Sequence, residues 1–480
     1  MKKICCLLCF LLAVVMSFSM TACIPTKPED DSVSLDDIDI TADENYSGTL
    51  KIRTWSEETE KAIMEAYIDG FQKKYPYIKI DYDTYYLDQY YATLRNDFGV
   101  CATKNDYSDA VDLFWIGQDN ITSFYDLDLM FPLTEIDRID DGFDQADLVE
   151  EAVETCVVGE NMYIMPRDFS QVVMYFNQDI FDIAGVDYPT HQMSREAFVK
   201  MLDDLRAGID ASDAKNDYGN YYRDVTTYLI DVNAMWDSWA WPLVKSFGGQ
   251  VIDENGEAAL DSEEVYSALA FWKSLREKNY VGPISTSNVG VNFRMQQSAI
   301  YFHTRSVMSN IYLSDGRNIK GVQNLGVTSL PQFGDIYTIA SGASGYSMYK
   351  HSEHKTEAWL FLKYIASEEG QNIFCSTGNG IPSLKSLLNA EDSAWRSFDH
   401  EALGTAFDND AFVYGMDFPV RPYTNTREFF KYLDVSRQKS ALECLQTCFL
   451  HIDDENVTEA SLREAIANQN KLLDKYIHSK

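Results

Sequence analysis

An α/β fold with more than one lobe is predicted, and three observations carry that reading. Between Thr49 and Trp115, strand-like and helix-like periods alternate in the order β-α-β-α-β, which argues for a mostly parallel sheet with right-handed crossovers. Pro166 then interrupts an extended run that resumes at Val172–Phe176, the pattern of a chain leaving one lobe and entering another, since proline cannot donate a ladder hydrogen bond. The 480 residues, 45% of them apolar, suffice for two or three domains with full cores.

Each element follows from local chemistry. Thr49 to Trp55 alternates apolar and polar side chains, as a half-buried strand does. Thr59 to Lys74 places Ile63, Tyr67 and Phe71 on one helical face, and Tyr75-Pro76 ends it. Ile78 to Tyr82 is the next strand, Leu87 to Phe98 a helix, and Val111 to Trp115 a third strand. Ligands of such sheets sit beyond the carboxyl ends of the strands, where Trp55 and Trp115 stand as the expected last residues. After the break at Pro166, Asp179 to Ala184 forms a short helix that Gly185 caps, and Ser194 caps a longer one running to Ala207. Asp210 to Tyr222 is a polar loop without calcium-binding spacing. Further on, Val265 to Lys278 reads as a helix, Ala299 to Phe302 and Gly326 to Pro331 as strands, and Ser341 to Tyr346 as a glycine-rich return. Helices at Thr356 to Ala366, from Ser367, at Glu428 to Phe449 and at Thr458 to Ile477 complete the chain. There is no internal repeat.

A series of short motifs recurs in a known order. Met165-Pro166, Tyr175-Phe176-Asn177, Phe181 with Ala184-Gly185, and Arg195-Glu196-Ala197-Phe198 come first. Trp241 to Gly249, Leu330-Pro331, Gly342 to Tyr346, and Ser367 to Gln371 with Ile381-Pro382 follow. In that order and spacing they resemble bacterial extracellular solute-binding protein family 1, the maltose-binding-protein-like receptors of ABC sugar importers. The resemblance covers nearly all of residues 47–480. It implies a two-lobed periplasmic-binding-protein-like (type II) fold with discontinuous lobes and an interlobe ligand cleft. The first lobe would be 47–166 plus 347–395 and the second 167–346 plus 396–480. The implied function is capture of a carbohydrate, in particular an oligosaccharide, by hinge closure, and its delivery to the permease. Such a protein is a monomer that needs no cofactor. A non-sugar solute such as a polyamine or peptide, an extracellular glycan-active enzyme, or a receptor feeding a sensor kinase are the alternatives.

Charge narrows the partners. Forty basic against seventy-five acidic residues leave a net charge of −35, which repels nucleic acid and anionic bilayers. At the N-terminus, Lys2 and Lys3 precede an apolar run from Ile4 to Met16, and Met20-Thr21-Ala22 leads to Cys23. This is a secretory signal peptide, residues 1–22, too short for a transmembrane helix. Its end resembles a lipobox, with Met20 where that motif prefers leucine, so Cys23 is the expected lipidation site and first mature residue. An ordinary signal peptide cut at Ala22 is the alternative. Residues 23–46 are acidic and read as a flexible tether. The expected location is the outer face of the cell membrane. Cys101, Cys156, Cys375, Cys444 and Cys448 remain of nine cysteines and are expected as free thiols, because Cys444 and Cys448 share a helix with poor bridging geometry.

No catalytic signature is present: there is no G-x-S-x-G elbow, no H-E-x-x-H and no P-loop. His351 and His354 lack a ligand set and read as surface residues, so no metal site is expected. A sugar presents apolar C–H faces and a rim of hydroxyls, which call for aromatic planes and charged or amide groups. Trp236 and Trp239, beside Asp237 and Ser238, are candidates against a core role. Trp55 and Trp115 are candidates by strand-end position, with Asp119 downstream of Trp115 and Glu57 downstream of Trp55. Arg167, Asp168 and Ser170 lie where the resemblance places ligands, although a hinge salt bridge would use the same residues. Arg305 matches a family region facing the cleft, an inter-lobe ion pair being its alternative. Ser344 sits in the glycine-rich return, and Arg421 and Tyr423 complete the candidate set.

Overall fold

The structure, a computed structural model, describes residues 38, 40–86, 89–284, 290–312, 320–425, 435–454 and 456–479. Cys23, the leader, the tether up to residue 37 and the start of the expected helix at Glu428 lie outside them. The last residues of the expected tether are packed rather than free: Ile38 is buried and Tyr46 meets the His354 ring edge-on at 5.7 Å.

The first lobe grows from the alternating N-terminal pattern. Strand β1 (Thr49–Trp55) and β2 (Lys79–Tyr85) pair in parallel, and β1 pairs in parallel with β3 (Leu113–Gly117). Helices α1 (Glu58–Lys74) and α2 (Tyr90–Lys104) form the crossovers. Trp55 does end its strand, whereas Trp115 is followed by Ile116 and Gly117 within β3. Strand β4 (Met165–Pro166) lies at the sheet edge, where a proline is tolerated.

The chain then crosses. Strand β5 (Ser170–Gln171) joins a small hinge sheet, and β6 (Val173–Asn177) enters the second lobe fully buried. Alternation along β6 sends Val173 and Tyr175 into one core and Met174 and Phe176 into the other. Helix α3 (Gln178–Ala184) stops at Gly185, whose φ of 68° suits a left-handed cap, and Ser194 accepts the Ala197 N–H to start α4 (Arg195–Ala211). The second sheet is completed by β7 (Ile230–Asp231), β8 (Ile300–His303), β9 (Leu325–Thr328) and a late strand at Leu403–Phe407. Helices α5 (Asp237–Ser246) and α6 (Glu263–Glu277) cover its outer face.

The second-lobe sheet is mixed, β6 pairing antiparallel with β8 and β9, and in the first lobe the return is where the structure departs from a mostly parallel sheet. Strand β10 (Ile339–Gly342) pairs antiparallel with β5, and β11 (Ser344–Met348) pairs antiparallel with β3, Ser344 opposite Gly117 and Tyr346 opposite Trp115. Because β1 and β3 run toward the crossing and β11 starts from it, β11 must oppose them. The second crossing therefore sits at Ala343, upstream of the expected 346/347 boundary. The two crossings run side by side, with Arg167 N–H donating to Ser344 O at 2.8 Å and Val172 N–H to Ala340 O at 3.0 Å. Helices α7 (Lys355–Ile365) and α8 (Glu368–Cys375) then return to the first lobe, and C-terminal helices end at His478. Among the described residues, no helix is long and apolar enough to cross a membrane.

Candidate functional site

Where the crossings meet the ends of β1 and β3, the two lobes enclose a cavity of about 470 Å³, within the size range of small-molecule sites. Trp55, Glu57, Trp115 and Asp119 come from the first lobe, Arg167, Asp168, Ser170 and Ser344 from the crossings, and Trp236 from the second. Nine of the expected residues thus share one wall system. Trp55 and Trp115 meet edge to face with centroids 4.0 Å apart, and Trp55 Nε1 donates to Glu57 at 3.2 Å. Trp236 stacks on His303 at 4.7 Å and 18°. Burial pushes the His303 pKa down to about 4, so near neutral pH the imidazole is an uncharged platform.

The crossing carries a buried ion pair. Arg167 Nη1 donates to both oxygens of Glu60 at 2.8 and 2.9 Å, and Tyr346 hydroxyl donates to the same carboxylate at 2.8 Å. Burial alone would lower the guanidinium pKa, but Glu60, with Tyr346, Tyr67 and Asp168 adding to it, outweighs that and the net shift is upward. The guanidinium also lies 4.5 Å from the Phe374 ring centroid. Asp168 accepts from the Ser344 N–H at 2.7 Å and its hydroxyl at 2.8 Å; burial still raises its pKa, against Arg167 and these hydrogen bonds. Arg167 therefore makes the ion pair expected as the alternative to binding while also lining the cavity, and Asp168 lines it with hydrogen bonds to Ser344 and no ion pair among the described residues. A Cβ at Gly342 would stand 2.3 Å from the Gln118 carboxamide, so any larger residue there would push that side chain aside.

Four expected residues are not in the cavity. Trp239 is 2% exposed, stacked on Phe302 at 4.6 Å and against Trp272 at 5.3 Å. It lies inside α5 on its core face, whereas Trp236 is the N-cap at the cavity edge. Arg305 is 1% exposed and donates to Gly378 O, Asn409 Oδ1 and Trp395 O at 2.8, 2.8 and 2.9 Å. Its turn places Thr304 and Ser306 on the cavity and Arg305 away from it; burial lowers its pKa to about 10. Arg421, bonded to Glu151, and Tyr423, donating to Tyr414 O at 3.1 Å, line a separate surface pocket at the outer edge of the hinge sheet. His351 is exposed beside the Tyr107 ring, and His354 is half-buried against Tyr46.

Sequence reasoning missed Glu60, Asp237 and Ser341. Glu60 had a signal: it falls on the apolar face of α1 with Ile63, Met64 and Tyr67, and a charge there needs a buried partner. Asp237 pKa is pushed up to about 6, first by burial and then by the charge of Asp119 on the opposite lobe. Burial raises the Asp119 pKa as well, although that side chain keeps accessible surface inside the cleft.

Comparison with known proteins accords with this architecture. A binding protein of Brucella abortus is 24% identical over 250 residues, 49% of this chain and 54% of the relative; the chain spans about half the length of the curated relatives it matches. An ABC substrate-binding protein of Listeria monocytogenes in complex with cycloalternan superposes with a TM-score of 0.70 at 18% identity, covering 91% of this chain and all of that one (100%). The GacH receptor of Streptomyces glaucescens, solved unliganded and with acarbose, gives 0.67 at 19% identity, over 90% and 99%. A maltose-bound T. maritima protein gives 0.65 at 16%, over 88% and 99%. Those likenesses show the two-lobed α/β fold. The family profile described as bacterial extracellular solute-binding protein matches residues 66–402, and this chain belongs to that family.

Proposed function

We propose that the chain captures a carbohydrate, an oligosaccharide in particular, between its lobes and delivers it to an ABC permease. The observation that carries this reading is the placement of Trp55 and Trp115 on one lobe and Trp236 on the other, with carboxylates and hydroxyls between them. Aromatic planes suit sugar C–H faces and the polar groups suit its hydroxyls. The cycloalternan, acarbose and maltose bound by the similar structures support it. A ligand touching both lobes binds the closed arrangement better than the open one, and that difference shifts the population toward closure. Lipidation at Cys23 would hold the receptor, as a monomer, on the outer face of the membrane.

A thermal-shift screen against a glycan panel tests the reading. A ligand at a hundred times its dissociation constant adds about 2.7 kcal/mol to stability. At least one oligosaccharide should raise the melting temperature; a panel without effect, beside a response to peptides or polyamines, would overturn the carbohydrate assignment. Asp119 and Asp237, facing across the cavity with raised pKa values, are the arrangement a hydrolytic reading would use. Incubation with a labelled oligosaccharide separates the two, and intact label is expected.

A further inference from the structure

The cleft's charges do not balance. Among the described residues lining it, Arg167 is the one cation, and Glu60 already holds it at 2.8 and 2.9 Å. Asp168 is satisfied by Ser344. Glu57, Asp119 and Asp237 remain with no basic partner among the described residues, their protein contacts being N–H donors such as Trp55 Nε1 and the Ser238 amide. Asp119 follows β3 on the first lobe and Asp237 opens α5 on the second, so closure presses like charges together. Such a pair is costly unless a cation or proton comes between.

A second, independent observation points to what fills the space. Ser341 is 4% exposed, lines the cavity, and its hydroxyl has no protein partner. Three more buried polar atoms of the lining are unpartnered: Trp115 Nε1, Arg167 Nε and Gln118 Oε1. Buried polar groups are rarely left so. Two of these atoms are N–H donors and need acceptors on the ligand. A saturated, protonated polyamine offers none; sugar hydroxyls do. A neutral sugar can donate hydroxyls to Asp119 and Asp237 but brings no countercharge, while an ammonium group supplies both the donors and the charge and is also favoured by the tryptophan faces.

We propose that the cleft takes a saccharide bearing a protonated amine, with the ammonium group seated between Asp119 and Asp237. This rests on the carbohydrate reading above and adds the charge of the ligand to it.

Calorimetry on the mature chain tests it with four probes near neutral pH: a glucosamine oligosaccharide, its N-acetylated counterpart, a neutral glucose oligosaccharide of equal length, and spermidine. The amine-bearing saccharide should bind at least about tenfold tighter than either uncharged one, equivalent to about 1.4 kcal/mol. In Asp119→Asn and Asp237→Asn that ratio should fall toward one. Equal or tighter binding of an uncharged saccharide would overturn the ammonium seat and leave the carbohydrate reading standing. Binding of spermidine alone would remove both; binding of none of the four would overturn the ammonium seat and leave the carbohydrate reading to the glycan panel. A ratio unchanged in both asparagine variants would place the amine elsewhere and overturn the assignment.

Discussion

Trp236 and Trp239 stand three positions apart, yet one faces the cleft and the other the core. The sequence made both visible as aromatic material at an expected site but could not show where the helix begins, and the rotation set by the start of α5 separates them. Trp239→Ala should cost about 3–5 kcal/mol of stability by opening a core cavity. Trp236→Ala should melt near the native chain and weaken ligand by about 2 kcal/mol, roughly thirtyfold. Calorimetry and melting of the two variants check this. Asp237 gives a pH signature. Its folded pKa of about 6 exceeds the ordinary 3.8, so between those values the folded state binds more protons than the unfolded one and stability falls as pH rises. The stability gain of Asp237→Asn over the native chain, followed by thermal melts, should therefore grow from about pH 4 to 6; a flat difference would show an unstrained carboxylate. Arg305 was misplaced for a related reason: in a short turn adjacent residues diverge, and Thr304 and Ser306 took the cavity.

At the scale of elements, local periods found the parts and missed their joins. The alternation through β1, α1, β2, α2 and β3 was legible because side chains on each element repeat within a few residues. That β11 returns antiparallel beside β3 depends on a partner 227 residues earlier, Ser344 on Gly117 at one end of the register, which no local pattern reports. The order of motifs shared with the family supplied the lobes instead. The same long reach joins α1 to the first crossing through Glu60 and Arg167, 107 residues apart. Both are buried, 3% and 4% exposed, and removing one partner of such a pair leaves an uncompensated charge costing about 3–5 kcal/mol. Glu60→Gln should accordingly lower the denaturation midpoint in urea, with a smaller further loss when Arg167→Met is added. Additive losses would mean the two groups act separately.

For the whole molecule, two crossings lie side by side, and the groups proposed to bind ligand line the cavity that flanks them. The chain's extracellular placement rests on the family, and the proposed lipid site at Cys23 lies beyond the described residues. Cys23→Ser should release the protein from the membrane fraction, and its retention there would mean a tether other than lipid. Closure is the property on which capture depends. Its most direct measurement is small-angle scattering of the mature chain with and without a saturating oligosaccharide drawn from the glycan screen. The account predicts a smaller radius of gyration with ligand, from rigid-body approach of the lobes about Pro166–Ser170 and Gly342–Ser344. An unchanged scattering curve at saturation would contradict it.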